Sequence, residues 1–126
     1  MSTRSIAGLC ALLALSASPA LATGPSRVPP AFLGEWRYEL TDCRNDADDS
    51  YLFIRPNRLE FYASEGPILD VKVHSARDIS IKARLSGEGE TSVEVTRFRL
   101  SADGKSIADI TDPVGPPFTR KRCPKR

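Results

Sequence analysis

The chain has 126 residues, with 18 Lys and Arg against 16 Asp and Glu, one His, and a net charge of +2. That near balance excludes a chain-wide electrostatic pull toward nucleic acid or a membrane surface. The length holds a single domain with an adequate but modest core.

Residues 1–22 read as an export signal. Arg4 supplies the positive start, Ile6 to Leu15 is a ten-residue apolar run, and Ala20-Leu21-Ala22 is the small-x-small pattern of a cleavage site. The run is too short to cross a bilayer, which takes about 20 residues, and no later segment is a membrane candidate. The expected mature chain begins after Ala22, in the periplasm or outside the cell. It keeps two cysteines, Cys43 and Cys123. In an oxidising compartment such a pair reads as one disulfide.

Thr23 to Ala31, "TGPSRVPPA", has three prolines and reads as an extended arm. The domain itself is placed at 32–126. Its first strand, Gly34 to Thr41, alternates Trp36, Tyr38 and Leu40 inward against Glu35, Arg37 and Glu39. An acidic loop, "DCRNDADDS", follows. "YLFIR" is a second strand, Pro56-Asn57 a turn, and "LEFYAS" a third strand that "EGP" breaks.

The next two segments have strict period two. "ILDVKVHS" turns Leu69, Val71 and Val73 inward. "DISIKARLS" does the same with Ile79, Ile81, Ala83 and Leu85. After the "SGEGE" turn, "TSVEVTRFRL" carries Val93 and Val95 on one parity and Phe98 and Leu100 on the other. A bulge near Thr96-Arg97 would bring all four to one face. "SADGKS" is a hairpin turn, "IADIT" a seventh strand, "DPVGPP" a loop and "FTRKRC" the eighth strand.

Short strands joined by tight turns predict an all-β fold, a small antiparallel up-and-down barrel of about eight strands. Parity places Cys43 and Cys123 on the outer faces of the first and last strands, where barrel closure brings them within reach. The same parity sends Arg120 or Arg122 inside, near Trp36.

Gly34-Glu35-Trp36 at the start of the first strand, with an Arg on the last, resembles the Gly-x-Trp signature of lipocalin-like (calycin) barrels. The resemblance implies that Trp36 plugs the closed end and that Arg120 or Arg122 packs over its ring. Among small exported barrels, the chain resembles a secreted family sharing Phe-x-Gly-x-Trp, a cysteine, "SGEGE", Leu-x-x-Asp-Gly and a closing Arg and Cys. It also resembles, in part, the periplasmic inhibitors of secreted metalloproteases, whose disulfide is local where this one joins the ends of the domain.

The residues offer little for catalysis. His74 is the single histidine and sits at an outward position of its strand. No converging set for a triad or a metal can be named around it. Asp42, Asp46, Asp48 and Asp49 lack the glycine and closing glutamate of a calcium loop. We therefore expect no catalytic, cofactor or metal residues. Of the basic tail "RKRCPKR", one Arg is assigned to Trp36 and the rest to solvent.

The expected function is that of an exported, monomeric, non-enzymatic binding module for a small apolar molecule or a cell-envelope component. Tyr38, Leu40, Phe61, Val71 and Ile81 would line the interior. The alternative is a periplasmic protease inhibitor whose arm enters the protease cleft, with Pro29-Pro30 lowering the ordering cost. No nucleic-acid partner is expected.

Overall fold

The computed structural model describes residues 27–126 and, ahead of them, Ser2, Thr3, Gly8, Ala11 and 13–16. Most of the leader, the cleavage site after Ala22 and residues 23–26 of the arm lie outside the described residues.

Eight strands follow one another around a closed barrel. They are β1 (Gly34–Arg37), β2 (Leu52–Ile54), β3 (Arg58–Phe61), β4 (Glu65–Ser75), β5 (Asp78–Gly87), β6 (Glu90–Leu100), β7 (Ser106–Asp109) and β8 (Phe118–Arg122). Each pairs antiparallel with the next, and β8 closes onto β1 through Trp36↔Arg122 and Arg37↔Lys121. The expected all-β up-and-down barrel is therefore what the chain forms. Its shape is compatible with a lipocalin-like fold.

Period-two segments make the long ribbons because branched apolar residues fit one pleated, buried face. The β5–β6 turn has two residues in the left-handed region, Glu88 (φ 52°) and Gly89 (φ 79°). This is the backbone that lets a two-residue hairpin follow the twist of its strands. Inside, Leu52, Ile54, Leu59, Ile79, Ile81, Phe98 and Ile107 have no exposed surface. An eight-stranded barrel is just wide enough for its own side chains to fill, and here they do.

Several local expectations need correction. The first strand stops at Arg37, and a 3₁₀ turn at Leu40–Asp42 replaces its second half. Tyr38 and Leu40 are consequently 55% and 53% exposed instead of inward. "EGP" does not break the third strand away from the fourth; it opens β4. Gly66 makes this work, since a Cβ there would lie 1.7 Å from the Arg84 carbonyl oxygen on β5.

No bulge occurs at Thr96-Arg97. The β5–β6 register is unbroken from Asp78↔Arg99 to Gly87↔Glu90. Thr96 and Phe98 face in, so Val93 and Val95 face out and are 50% and 54% exposed. The irregularities fall in β4 instead, between Ile68 and Asp70 and between Val73 and Ser75. The first puts Ile68 and Val71 into the core and leaves Leu69 half-buried, while Val73 is exposed at the barrel end.

Candidate functional site

The closed end is built around Trp36. Gly34 holds φ +123°, a conformation that side-chain-bearing residues rarely adopt. The indole Nε1 of Trp36 donates to the Phe32 carbonyl at 3.1 Å. Of the two candidate arginines, Arg122 takes the ring, with its guanidinium carbon 4.1 Å from the centroid. Its nitrogens donate to the carbonyls of Gly104 (3.0 Å), Leu33 (2.7 Å) and Ala31. It thereby ties the approach to β1 and the β6–β7 turn to the plug. Burial pulls its pKa below the ordinary arginine value.

The same contacts dock the end of the proline-rich arm. Val28 and Phe32 are buried in the core cluster, and Pro30–Phe32 form a 3₁₀ turn. Val28 is thus packed into the barrel base and the Ala31 carbonyl is held by Arg122, while Arg27, Pro30 and Ala31 have exposed side chains.

Arg120, two residues earlier, has a different task. It lies opposite Ile107 on the inner face and is buried. Nε donates to the Ser50 carbonyl at 2.6 Å, and the guanidinium sits 4.5 Å from the centre of the Phe118 ring. Nη1 has no hydrogen-bond partner. Burial lowers its pKa, opposed by the more distant charges of Asp109 and Asp48. Above it Phe118 stacks on Tyr38, with centroids 5.7 Å apart. Of the residues expected to line a ligand chamber, Val71 and Ile81 are core, Phe61 is half-buried, and Tyr38 and Leu40 are outside.

The Cys43–Cys123 disulfide is present, with Cα atoms 5.8 Å apart across 80 residues of sequence. It pins the Tyr38–Tyr51 connection over the outer face of β1, burying a polar network there. Arg37 is fully buried and bonds Glu35 at 2.8 and 3.0 Å, Asp48 at 3.1 Å and the Asn45 carbonyl at 2.7 Å. Its guanidinium also lies 4.4 Å from the Tyr51 ring centre. Glu35 further accepts from Arg126, the last residue, at 3.0 Å and from the Arg44 N–H. Burial alone would raise the Glu35 pKa; the bonds from Arg126, Arg44 and Arg37 bring it below its ordinary value.

Two of the four aspartates of the acidic loop have side-chain partners, and only Asp48 belongs to this network. Asp48 binds Arg37 and the Ser50 hydroxyl, and Asp42 accepts from Asn45. Among the described residues no group of three His, Cys, Asp or Glu side chains converges as a metal site would need. A cleft of about 420 Å³ beside the network is lined by Tyr51, Phe61, Tyr62, Glu65 and Ser86. His74 lies exposed on the outside of β4, with Nε2 2.7 Å from the Ser80 hydroxyl. Among the described residues no carboxylate bonds its other ring nitrogen and no nucleophile–base–orienting set forms around it.

The tail is more structural than its composition suggests. Arg120, Arg122 and Arg126 are committed to Ser50, the Trp36 plug and Glu35. Lys121 pairs with Glu39 at 3.2 Å, both half exposed.

What remains open lies at the seam between the first and last strands. A groove of about 480 Å³ runs over Leu40, Cys123 and Pro124, flanked by Lys105, Lys121 and Arg122. Leu40 is presented here because β1 ends early. The Tyr38–Phe118 stack, with Phe118 42% exposed, does not line this groove. The floor is apolar and the flanks are cationic. Three distant stretches of chain meet in it, so no local motif could have announced it.

The chain matches no protein-family model, no curated protein and no solved structure.

Proposed function

We propose that the chain is an exported, non-enzymatic binding module of the small lipocalin-like kind, acting as a monomer in the periplasm or outside the cell. Its ligand is a small apolar molecule or a cell-envelope component, bound at the β1–β8 seam and not inside the barrel. One contrast carries this reading. The interior is filled by its own side chains, whereas Leu40 presents apolar surface in the seam groove. A groove with an apolar floor, Lys105 on its flank and Lys121 in a half-exposed pair with Glu39 beside it suits an apolar body ending in an anionic group.

A disulfide spanning most of the domain supports export. The Gly34–Trp36–Arg122 plug supports the lipocalin-like assignment. Anchoring of the arm at Val28 and at the Ala31 carbonyl favours this reading over that of a protease inhibitor inserting the arm into a cleft.

The test is native mass spectrometry of protein purified, without reduction, from the compartment in which it resides. The expectation is a reproducible small-molecule adduct on the wild type that Leu40→Asp loses. A wild type that is always bare, or an adduct indifferent to Leu40→Asp, would remove the seam from consideration.

A further inference from the structure

Closure of the barrel does not pair every strand along its whole length. β6 is paired with β5 from Arg99 to Glu90, but β7 covers it only at Phe98, Arg99 and Leu100. The last cross-links on that side are at Arg97. Its carbonyl accepts from the Ile110 N–H at 2.9 Å, and its N–H donates to the Thr111 hydroxyl at 3.0 Å. Toward the hairpin, Thr91 to Val95 stand exposed at the edge of the sheet.

Successive residues of an antiparallel strand aim their backbone groups to opposite sides. Arg97 aims its pair away from β5, so Thr91, Val93 and Val95 do the same, while Ser92 and Glu94 bond β5. Three N–H and three C=O groups therefore line this edge with no partner among the described residues. The stretch has none of the devices that blunt a strand edge: no Pro, no Lys and no bulge in its pairing with β5. Val93 and Val95 are half exposed on its outward face, and Ser92 and Glu94 occupy the other. From Leu85 to Thr96 there are three carboxylates, Glu88, Glu90 and Glu94, and no Lys or Arg. Arg84 and Lys82, opposite Val93 and Val95, lie one strand back from the edge, and Arg97 is held by Asp78.

We propose that the Thr91–Val95 edge takes up an extended segment of another polypeptide as an added strand. Donors and acceptors alternating at strand spacing match a peptide backbone, and a segment of about five residues reaches all six groups. Side chains of the segment beside Val93 and Val95 are apolar, and those beside Ser92 and Glu94 are basic, to meet the carboxylates of the hairpin. A second copy paired through the same edge would bring six carboxylates together with no cation at the edge, which disfavours self-pairing. None of these residues lines the seam groove, so the two sites stand or fall separately.

The experiment is an NMR titration of the oxidised protein with a short synthetic peptide of alternating Val and Lys. In the free protein the Thr91, Val93 and Val95 amides should exchange with solvent rapidly, and those of Ser92 and Glu94 slowly. The peptide should bring saturable shifts and exchange protection to the first three. The same peptide methylated on every backbone nitrogen keeps its side chains and charge but cannot donate, and it should not bind. Val93→Pro removes one outward N–H and leaves the β5 ladder intact. It should weaken binding about fivefold or more with little change in melting temperature; if it fails to fold, the methylated peptide carries the test. Glu90→Lys with Glu94→Lys should turn the preference from the Val–Lys peptide to a Val–Glu one.

Equal binding of the methylated peptide would show simple charge attraction and overturn the proposal. So would a titration that leaves the Thr91, Val93 and Val95 amides unmoved. Slow exchange of these amides in the free protein would also overturn it, by showing that a second copy or the chain's own N-terminal residues occupy the edge. Peptide binding here together with a bare native mass spectrum would fault the seam alone.

Discussion

Arg120 and Arg122 stand two residues apart on the same inner face of β8, yet their replacement by Met should have unequal consequences. Arg122 donates to three backbone carbonyls and covers Trp36. Its removal forfeits a cation–π contact of about 1 kcal/mol and charge-assisted hydrogen bonds of about 1.5–3 kcal/mol each. Water can reach the exposed carbonyl side of Ala31 and the turn at Gly104, so only the Leu33 bond is counted in full. The sum is about 3 kcal/mol.

For Arg120→Met the terms oppose. The bond to the buried Ser50 carbonyl is lost, at about 1–3 kcal/mol. Against this, a buried guanidinium with no carboxylate pair and an orphaned Nη1 disappears, and well-packed apolar replacements of buried charge are often neutral or stabilising. The expected net change is within about 1 kcal/mol of zero. Thermal unfolding of the oxidised proteins would read both, since a loss of 3 kcal/mol corresponds to a fall of about 12–24 °C in Tm for a domain of this size. Equal losses in the two variants would refute the division of labour between plug and interior.

Trp36→Ala truncates a fully buried plug and should cost about 3–5 kcal/mol; an unchanged melting temperature would remove the plug argument. Replacing both Cys43 and Cys123 by Ala releases a loop closed over 80 residues, for which chain entropy gives about 4.5 kcal/mol; denaturant midpoints of the oxidised wild type and the variant measure it. Asp78 is held down to about 2 by hydrogen bonds from Arg97 and Arg99, against the effect of burial. Since the folded state depresses this pKa, the stabilisation is complete above the unfolded carboxylate value of about 4 and is lost as pH falls from there toward 2. Asp78→Asn should flatten that part of the stability–pH curve, and an unaltered acid limb would contradict the assignment. Tyr51, pushed up to about 12 by burial and by its bond to Glu60, should give a late step, well above the ordinary tyrosine value, in a spectrophotometric titration. A Tyr51→Phe variant that keeps the late step would refute this.

The parts of the fold that were legible in the sequence are those where burial is uniform along a strand. Ile79, Ile81, Ala83 and Leu85 alternate because all four lie deep inside, and parity alone placed them. It also sent an arginine of the last strand inside, near Trp36, without choosing between the two. Parity failed where strands outrun the core. On β6 the inward positions toward the hairpin are Ser92 and Glu94, opposite Leu85 and Ala83. Apolarity there no longer marks the inside, and the outward Val93 and Val95 were mistaken for core.

The first strand misled for a related reason. Tyr38 and Leu40 continue the alternation of Trp36, but the disulfide-bound loop takes the chain off the sheet after Arg37. Burial of Glu35 and Arg37 was not legible either. Their cover comes from a loop and from a terminal arginine 91 residues away in sequence. The candidate groove shares that property, since Leu40, Lys105 and Pro124 meet only after the barrel closes.

The central claim is that this barrel binds outside itself, at the seam. The most direct measurement is a set of amide and methyl NMR spectra of the oxidised protein titrated with anilinonaphthalene sulfonate, an apolar body with one anionic group. The account predicts saturable shifts at Leu40, Lys105, Lys121 and Cys123, with the interior methyls of Ile79 and Ile81 unmoved. Shifts centred on Ile79, Ile81 and Phe98 would show that the barrel opens to a ligand and would contradict the account.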